Sequence, residues 1–228
     1  MNVYSRFRRF LYQGFIPVTK SLIVLGALIF ILYYVLQLFH FRSLYNLLGL
    51  FTGGVFHYPW TLLTYPLVNP DPFSLIFGLL WLWFVGGSLE RSWGSWTFGI
   101  YLFWVTLFTG IMITLVGFIV GKMIFISGFW IPLVALTWAW ASIFPDREIL
   151  FWGIIPLRAK WLAWINAVIV FFNYALQSHW LMGFASISGI LILYLFGGKG
   201  GFFFKDIKSW LEERRRKARR NKFKVYKH

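Results

Sequence analysis

Two polar residues, Ser127 and His179, are of the types that form a nucleophile and its base. A serine hydroxyl attacks a carbonyl only when a neighbouring base removes its proton, and histidine commonly serves as that base. Each residue opens an apolar stretch, and the two stretches are predicted to cross a membrane in the same direction. The pair could therefore share one depth. We favour an interfacial serine and an interfacial histidine, because polar side chains cost little at the ends of spans.

Glu90 is the acidic residue expected at membrane depth, within the apolar residues 85–94. A carboxylate at that depth is costly unless it is hydrogen-bonded or faces water. We therefore predict that Glu90 makes a structural hydrogen bond to a neighbouring loop. Gly86 and Gly94 on either side fit a close backbone approach or a tight turn.

The sequence offers no recognisable set of metal ligands. It has no cysteine, and its four histidines are scattered without the spacing of a known metal motif. The histidines are His40, His57, His179 and His228. We expect neither a metal site nor a cofactor.

The composition is that of a membrane protein. Of the 228 residues, 59% are hydrophobic and only 13% are charged. A water-soluble domain cannot bury so much apolar surface, whereas a bilayer accepts it. The predicted fold class is all-α, a polytopic membrane protein.

Six apolar stretches approach the roughly 20 residues that a spanning helix needs. They cover residues 18–39, 72–87, 96–120, 124–143, 160–176 and 180–196. Residues 40–70 are apolar but broken by Gly and Pro, which predicts a structured, partly interfacial first loop with short helices. The chain then divides into a basic N-terminus (1–17), a membrane domain (18–197) and a basic tail (198–228).

The basic residues predict the orientation of the spans. Of the 22 Lys and Arg residues, only Arg42 and Lys122 fall on one side of the six-span arrangement, which leaves 20 on the other. Cytoplasmic loops carry the excess of Lys and Arg. Both termini are therefore predicted to be cytoplasmic.

The tail predicts contact with lipid. Residues 205–228 contain eleven of the basic residues, and the whole chain has a net charge of +15. A basic cluster next to a span commonly binds anionic lipid headgroups, with about 1 kcal/mol for each residue near the surface. Binding of nucleic acid is the less favoured interpretation of the same charge.

Three segments resemble the rhomboid superfamily. The stretch WTLLTY at 60–65 is similar to the family's W-R-L-x-T, and residues 71–94 resemble H-L-x-x-N followed by G-x-x-L-E-x-x-x-G. Residues 144–162 are similar to a loop of bacterial members. The resemblance covers about residues 60–189. It implies a six-helix rhomboid-like bundle in a bacterial plasma membrane.

The same resemblance predicts structural roles for six residues. They are Trp60, Gly86, Glu90, Arg91, Gly94 and Gly189.

The family's catalytic residues are replaced in this chain. The resemblance implies a His and an Asn that support the oxyanion, and those positions hold Ser74 and Gly78. The nucleophile position holds Trp130 and the base position holds Met182, and neither side chain can attack a carbonyl or move a proton.

A shifted dyad remains open. Ser127 and His179 each lie three residues before the family's nucleophile and base positions, so both are displaced by about one helical turn in the same direction. The oxyanion donors would still be missing, and the loss of one such donor typically lowers the rate by about 10²–10³.

Our leading prediction is therefore a rhomboid-like pseudoprotease that binds or scaffolds transmembrane client proteins. The first alternative is an active intramembrane serine endopeptidase that uses Ser127 and His179. A second alternative is a small transporter or channel. Spans of transporters usually contain buried charges or broken helices near the midplane, and the predicted spans show none.

Overall fold

The computed structural model describes residues 16–38, 47–151 and 155–197. The chain divides into two compact units, Met1–Ile190 and Leu191–His228. Of the second unit, only residues 191–197, the end of a helix, are described. Residues 1–15 and the predicted lipid-binding tail lie outside the described residues.

The described residues are mostly helical. In chain order, the helices are α1 (Pro17–Leu38), α2 (Thr61–Thr64), α3 (Pro72–Trp81), α4 (Gly87–Trp93), α5 (Ser95–Val120), α6 (Trp130–Ile143), α7 (Ala159–Gln177), α8 (Trp180–Ile187) and α9 (Gly189–Gly197). The short strands are β1 (Leu50–Phe51), β2 (Phe125–Ile126), β3 (Glu148–Phe151) and β4 (Ile155–Arg158). Turns of 3₁₀ helix cover Thr52–Gly54 and Tyr65–Leu67, and a π-helical turn covers Leu82–Gly86.

Four helical segments of the described chain are long and apolar enough to cross a membrane. They are α1, the continuous segment Pro72–Trp93, α5 and α7. The predicted class, a helical membrane protein, is thereby confirmed, but the count of six spans is not. Helix α6 has 14 residues, about 21 Å at 1.5 Å per residue, against a hydrocarbon core of about 30 Å.

The predicted fourth span is shortened at its start. Residues 125 and 126 form β2, which pairs antiparallel with β1, so they cannot be helical. Gly128 follows with a φ of 95°, a conformation that excludes a regular helix at that point. A periodicity of apolar residues does not reveal either feature, because β2 is as apolar as the helix after it.

The second span begins as its sequence indicates but continues further. The Asp71 side chain accepts a hydrogen bond of 2.8 Å from the Ser74 N–H and so caps α3, with Pro72 in the first turn. The π-helical turn lies inside the span, where the sequence predicted regular helix. The span ends at Gly94, whose φ of 85° turns the chain into α5.

Hydrogen bonds between helix termini define two opposite ends of the helix bundle. The Glu90 carboxylate in α4 accepts hydrogen bonds from the N–H groups of Val18 and Thr19, which begin α1. The Ala159 N–H at the start of α7 donates to the Arg147 carbonyl after α6. We call this the basic end. It comprises residues 16–20, 90–95, 143–151 and 155–160.

The opposite end is held by contacts of its own. Strands β1 and β2 pair there, and the Lys122 Nζ donates to the Ser178 carbonyl over 2.6 Å. We call the set of residues 47–52, 121–129 and 177–180 the opposite end. Helix α6 therefore runs from the opposite end to the basic end, as α7 runs back.

The first loop reaches into the bundle. A Cβ added at Gly117 of α5 would lie 3.1 Å from Thr52, and one added at Gly110 would lie 3.1 Å from the Leu62 carbonyl oxygen. These glycines are seven residues apart, or about 10 Å along the helix. Leu62 thus lies about 10 Å deeper than Thr52, and α2 is part of the bundle.

Side chains satisfy backbone carbonyls near this buried loop. The Thr64 hydroxyl donates to the Leu48 carbonyl at 2.7 Å, and the Trp60 indole donates to the Leu47 carbonyl at 2.9 Å. Irregular backbone at membrane depth is tolerated only where its polar groups find partners within the protein.

Helix α8 packs at close range against α7, and the first residue of α9 packs at close range against α5. A Cβ at Gly183 would lie 2.7 Å from the Phe171 carbonyl oxygen. One at Gly189 would lie 2.7 Å from the Thr109 hydroxyl. Small residues allow this approach of helix backbones in a membrane.

Candidate functional site

The residue that the rhomboid resemblance places at the nucleophile position lies at the start of α6. Trp130 is the first residue of that helix, and its side chain is 38% exposed. The residue before it, Phe129, is buried. An indole offers a single N–H donor and no nucleophile, so the position carries no acyl-transfer chemistry.

The Phe129 ring fills the space beside Gly78, which the rhomboid resemblance places at an oxyanion position. A Cβ at Gly78 of α3 would lie 3.4 Å from the Phe129 Cβ, and one at Gly26 of α1 would lie 3.1 Å from the ring. The ring also borders a cavity of about 250 Å³ whose lining is apolar apart from Thr106. Gly26 and Gly78 thus make room for the Phe129 side chain.

Ser74, the other oxyanion position, belongs to a helix cap. Its backbone N–H binds the Asp71 carboxylate. This hydrogen bond is the main cause that lowers the pKa of Asp71 below its ordinary value. The geometry assigns Ser74 a local structural contact.

Met182, which the rhomboid resemblance places at the base position, is apolar and buried. Met182 is 1% exposed and lies in a hydrophobic cluster with residues of β1, α5, α6 and α8. The other buried members are Leu50, Val55, Tyr65, Ile113, Ile126, Ile131 and Ala185. A thioether in such surroundings contributes packing and cannot transfer protons.

His179 caps the helix that it precedes. Its Nδ1 accepts a hydrogen bond of 3.3 Å from the Leu181 N–H at the start of α8. In a neutral imidazole, an accepting Nδ1 implies that the proton sits on Nε2. The outer nitrogen is then a donor, whereas a base must present a lone pair to the nucleophile. The cap therefore opposes the role of general base.

Ser127 lies at the opposite end, directly before Gly128. It is half-buried, and the Gly128 N–H donates to the Tyr65 carbonyl at 2.9 Å. This bond holds the Ser127 backbone against the first loop. The serine thus sits where the first loop, β2 and α6 meet.

Glu90 holds the first turn of α1. It is 1% exposed, and its two oxygens lie 3.0 Å from the Val18 nitrogen and 2.8 Å from the Thr19 nitrogen. N–H groups in the first turn of a helix lack intrahelical partners and carry the positive end of the helix dipole. The carboxylate accepts hydrogen bonds from two of these N–H groups and places a negative charge beside the positive end of the dipole.

The other predicted structural residues occupy distinct places. Trp60 binds the Leu47 carbonyl, and a Cβ on Gly86 would lie 3.0 Å from Leu82. Gly94 has open space around it, so its positive φ is what requires glycine. Arg91 is exposed at the basic end.

One polar contact that the sequence did not predict joins three helices. The Trp81 indole of α3 donates to the Thr137 hydroxyl of α6 at 2.8 Å, and the Asn166 amide of α7 approaches the same oxygen at 3.4 Å. The hydroxyl itself donates to the Leu133 carbonyl. Thr137 and Asn166 are polar residues inside predicted spans, which was a signal that they needed partners.

A second unpredicted feature is a buried amide beside Gly128. Asn69 is 2% exposed, and among the described residues neither atom of its amide group has a hydrogen-bond partner. Its oxygen would lie 3.4 Å from a Cβ on Gly128. Nearby, burial raises the pKa of the Tyr65 hydroxyl above its ordinary value. An ordered water would satisfy such groups.

Comparison with known proteins gives a family. A search of curated proteins finds no match. The family described as "Eukaryotic integral membrane protein (DUF1751)" matches residues 20–198, which is more than half of the chain. The predicted bacterial inner membrane is therefore wrong, because the family is eukaryotic, while the predicted integral membrane character is confirmed. The chain belongs to the DUF1751 family of eukaryotic integral membrane proteins.

Proposed function

We propose that this protein is a rhomboid-like membrane protein without protease activity, which binds the transmembrane segments of client proteins. The observation that carries the proposal is that apolar side chains occupy the positions of the rhomboid catalytic residues. Met182 is part of the apolar core, and Phe129 covers Gly78. Acyl transfer needs a nucleophile, a base and oxyanion donors, and these positions supply none of the three.

The contacts of the residues shared with rhomboids support the likeness in fold. Glu90 joins α4 to α1 through hydrogen bonds, and the Trp60 indole binds the Leu47 carbonyl within the first loop. Gly94 turns the chain between two spans. These three contacts are architectural and do not depend on catalysis. A rhomboid-like scaffold can therefore persist without the catalytic residues.

We further propose six crossings of the membrane. Helix α6 and the segment Trp180–Tyr194 are apolar but shorter than the four long segments. Helix α6 nevertheless runs between the same two ends as α7, and a span shorter than the hydrocarbon core is accommodated by local thinning of the bilayer. Six crossings place both termini on one side.

The client site that we propose lies where α3, α6 and α7 meet. Asn166 is half-buried in a span, and a side-chain amide carries two donors and an acceptor. Its bond to Thr137 is long, at 3.4 Å. A polar residue in a client helix would gain a partner there that lipid cannot offer.

Photocrosslinking in proteoliposomes tests this site. A photoreactive residue replaces Ile169, one turn from Asn166 and 61% exposed, and in the control it replaces Leu115 of α5, which is 51% exposed. The partners are two designed single-span peptides, one all-leucine and one with a central asparagine. We expect crosslinks from position 169 to the asparagine peptide, and a loss of several-fold in Asn166→Leu.

Equal crosslinking from positions 169 and 115, or equal capture of both peptides, would mean that the contacts are random collisions in the bilayer. Either result would overturn the client site. Cleavage of a peptide would overturn the absence of protease activity.

A further inference from the structure

A second cavity lies at the basic end, between α6 and α7. It has a volume of about 210 Å³ and combines two indoles, a hydroxyl and an ammonium group. Its lining residues are Trp138, Ala141, Ser142, Lys160, Ala163 and Trp164. The two indole rings meet edge to face, with centroids 4.8 Å apart. The wall of the cavity is therefore a rigid aromatic pair with one cation in the first turn of α7.

Further basic residues lie close to the start of α7 along the chain. The Ala159 N–H binds the Arg147 carbonyl, which holds Arg147 beside the first turn of α7. The Arg147 guanidinium lies 5.6 Å from the centroid of the Phe144 ring, at the end of α6.

The acidic residues nearby do not cancel this charge. Asp146 is exposed, and Glu148 lies opposite Arg158 in the β3–β4 hairpin. Counting Arg147, Arg158 and Lys160 against these two carboxylates leaves a net charge of +1 (3 − 2). The surface around the cavity therefore attracts anions.

The tryptophan pair and Lys160 are arranged as in a site at the interface between the bilayer and water. Tryptophans favour the level of the headgroups, where the ring meets the acyl chains and the N–H meets water. Lys160 lies one residue into α7, with its Nζ 5.8 Å from the Trp161 ring. An ammonium group in that place meets a phosphate that is attached to an apolar chain.

We propose that this cavity binds an anionic phospholipid. Lys160 holds the phosphate, and the Trp138–Trp164 pair packs against the glycerol and the upper acyl chains. Ser142 donates its hydroxyl to the Trp138 carbonyl at 2.9 Å and so fixes the rim beside that indole. The site differs from the predicted contact of the 205–228 tail, because it is built from the membrane helices themselves.

Native mass spectrometry of the full chain tests the proposal. The protein is released from detergent with phosphatidylserine, phosphatidylcholine or neither, and the bound lipid is counted. The variants are Lys160→Ala and Trp164→Ala. The matched control is Lys20→Ala, since Lys20 is also exposed in the first turn of a membrane helix at the basic end but does not line the cavity.

We expect phosphatidylserine to bind in preference to phosphatidylcholine. Lys160→Ala should lower its occupancy about fivefold, as expected for the loss of one basic contact with an anionic headgroup. Trp164→Ala should also lower occupancy, and Lys20→Ala should leave it within about twofold of the wild type. The tail is the same in every variant, so its contribution cancels.

Three results would overturn the proposal. The first is an equal effect of Lys160→Ala and Lys20→Ala, which would indicate general surface charge. The second is an unchanged occupancy in Trp164→Ala. The third is displacement of the lipid by millimolar inorganic phosphate, which would make the ligand a soluble anion. Thermal unfolding of each variant, followed by tryptophan fluorescence, checks that it is folded.

Discussion

At the scale of single residues, Glu90 shows how a costly group becomes structural. A buried carboxylate is tolerated where hydrogen bonds replace its lost hydration. Here the two bonds come from Val18 and Thr19, at the beginning of another helix. The same contact therefore satisfies the acid, caps α1 and joins two spans.

Removal of this carboxylate should destabilise the protein. Glu90→Ala leaves one buried and one half-buried N–H group without a partner, at about 1–3 kcal/mol each, so we expect a loss of about 2–6 kcal/mol. Thermal unfolding in detergent measures the change. Glu148→Ala is the control, because Glu148 is exposed and its loss should stay within about 0.5 kcal/mol. Equal effects of the two substitutions would contradict the role of Glu90.

The Asp71 cap should give a stability that depends on pH. The pKa of Asp71 is lower in the folded protein than its ordinary value of 3.8, so its contribution is present above that pH and is lost as the pH falls through the folded pKa. Asp71→Asn keeps a capping oxygen without the charge. We expect it to cost less than about 1 kcal/mol at pH 7, because the site is partly exposed.

That difference between wild type and Asp71→Asn should shrink as unfolding is measured at pH values from 7 to below 3. A difference that grows on acidification would have the wrong sign for a depressed pKa.

Individual residues differ in how far the sequence reveals them. That Glu90 needs a partner follows from its apolar surroundings. That the partner begins α1, more than 70 positions earlier, depends on how the helices pack. The contact of Trp81, Thr137 and Asn166 was missed for the same reason, since each residue alone is common in membrane helices.

At the scale of elements, two serines lie where the predicted sixth span is interrupted. Ser186 and Ser188 return their hydroxyls to backbone carbonyls three residues earlier, each at 2.7 Å. Such bonds compete with the regular helical ladder. The predicted sixth span is accordingly divided at Ser188 into α8 and α9. Apolar periodicity could not predict this break, because both halves are equally apolar.

Gly183→Ala should destabilise the protein by about 1–3 kcal/mol. The added methyl group meets the Phe171 carbonyl at 2.7 Å, and backbone cannot yield as a side chain does. Gly99→Ala is the matched control in α5, where the nearest atom is 3.9 Å away, and it should be neutral or up to about 1 kcal/mol stabilising. Thermal unfolding of both variants measures the difference. An unaffected Gly183→Ala would show that α8 packs less closely than described.

At the scale of the whole molecule, the helix ends alternate between a basic end and an opposite end. Charge counting predicts this alternation, since it assigns Lys122 and the residues at the basic end to different sides. The depth of the first loop was not predictable, because only its contacts with α5 place Leu62 below the surface. The local sequence does not reveal contacts between residues that are distant in the chain.

Cysteine labelling tests whether α6 crosses the membrane. The chain has no cysteine, so single cysteines report without background. Met123→Cys and Asp146→Cys flank α6 and are both exposed. In sealed microsomes, we expect an impermeant maleimide to label position 146 but not position 123 until the membrane is opened. Labelling of both positions from one side would contradict the crossing.

The central claim, a rhomboid-like protein without a working catalytic site, is tested most directly with a fluorophosphonate probe. This reagent modifies a serine that is activated by a base. The purified protein and Ser127→Ala are treated side by side with the probe, with an active serine hydrolase as a positive control for the reagent. We predict no labelling above background in either protein. Labelling of the wild type that disappears in Ser127→Ala would contradict the account and establish a serine nucleophile.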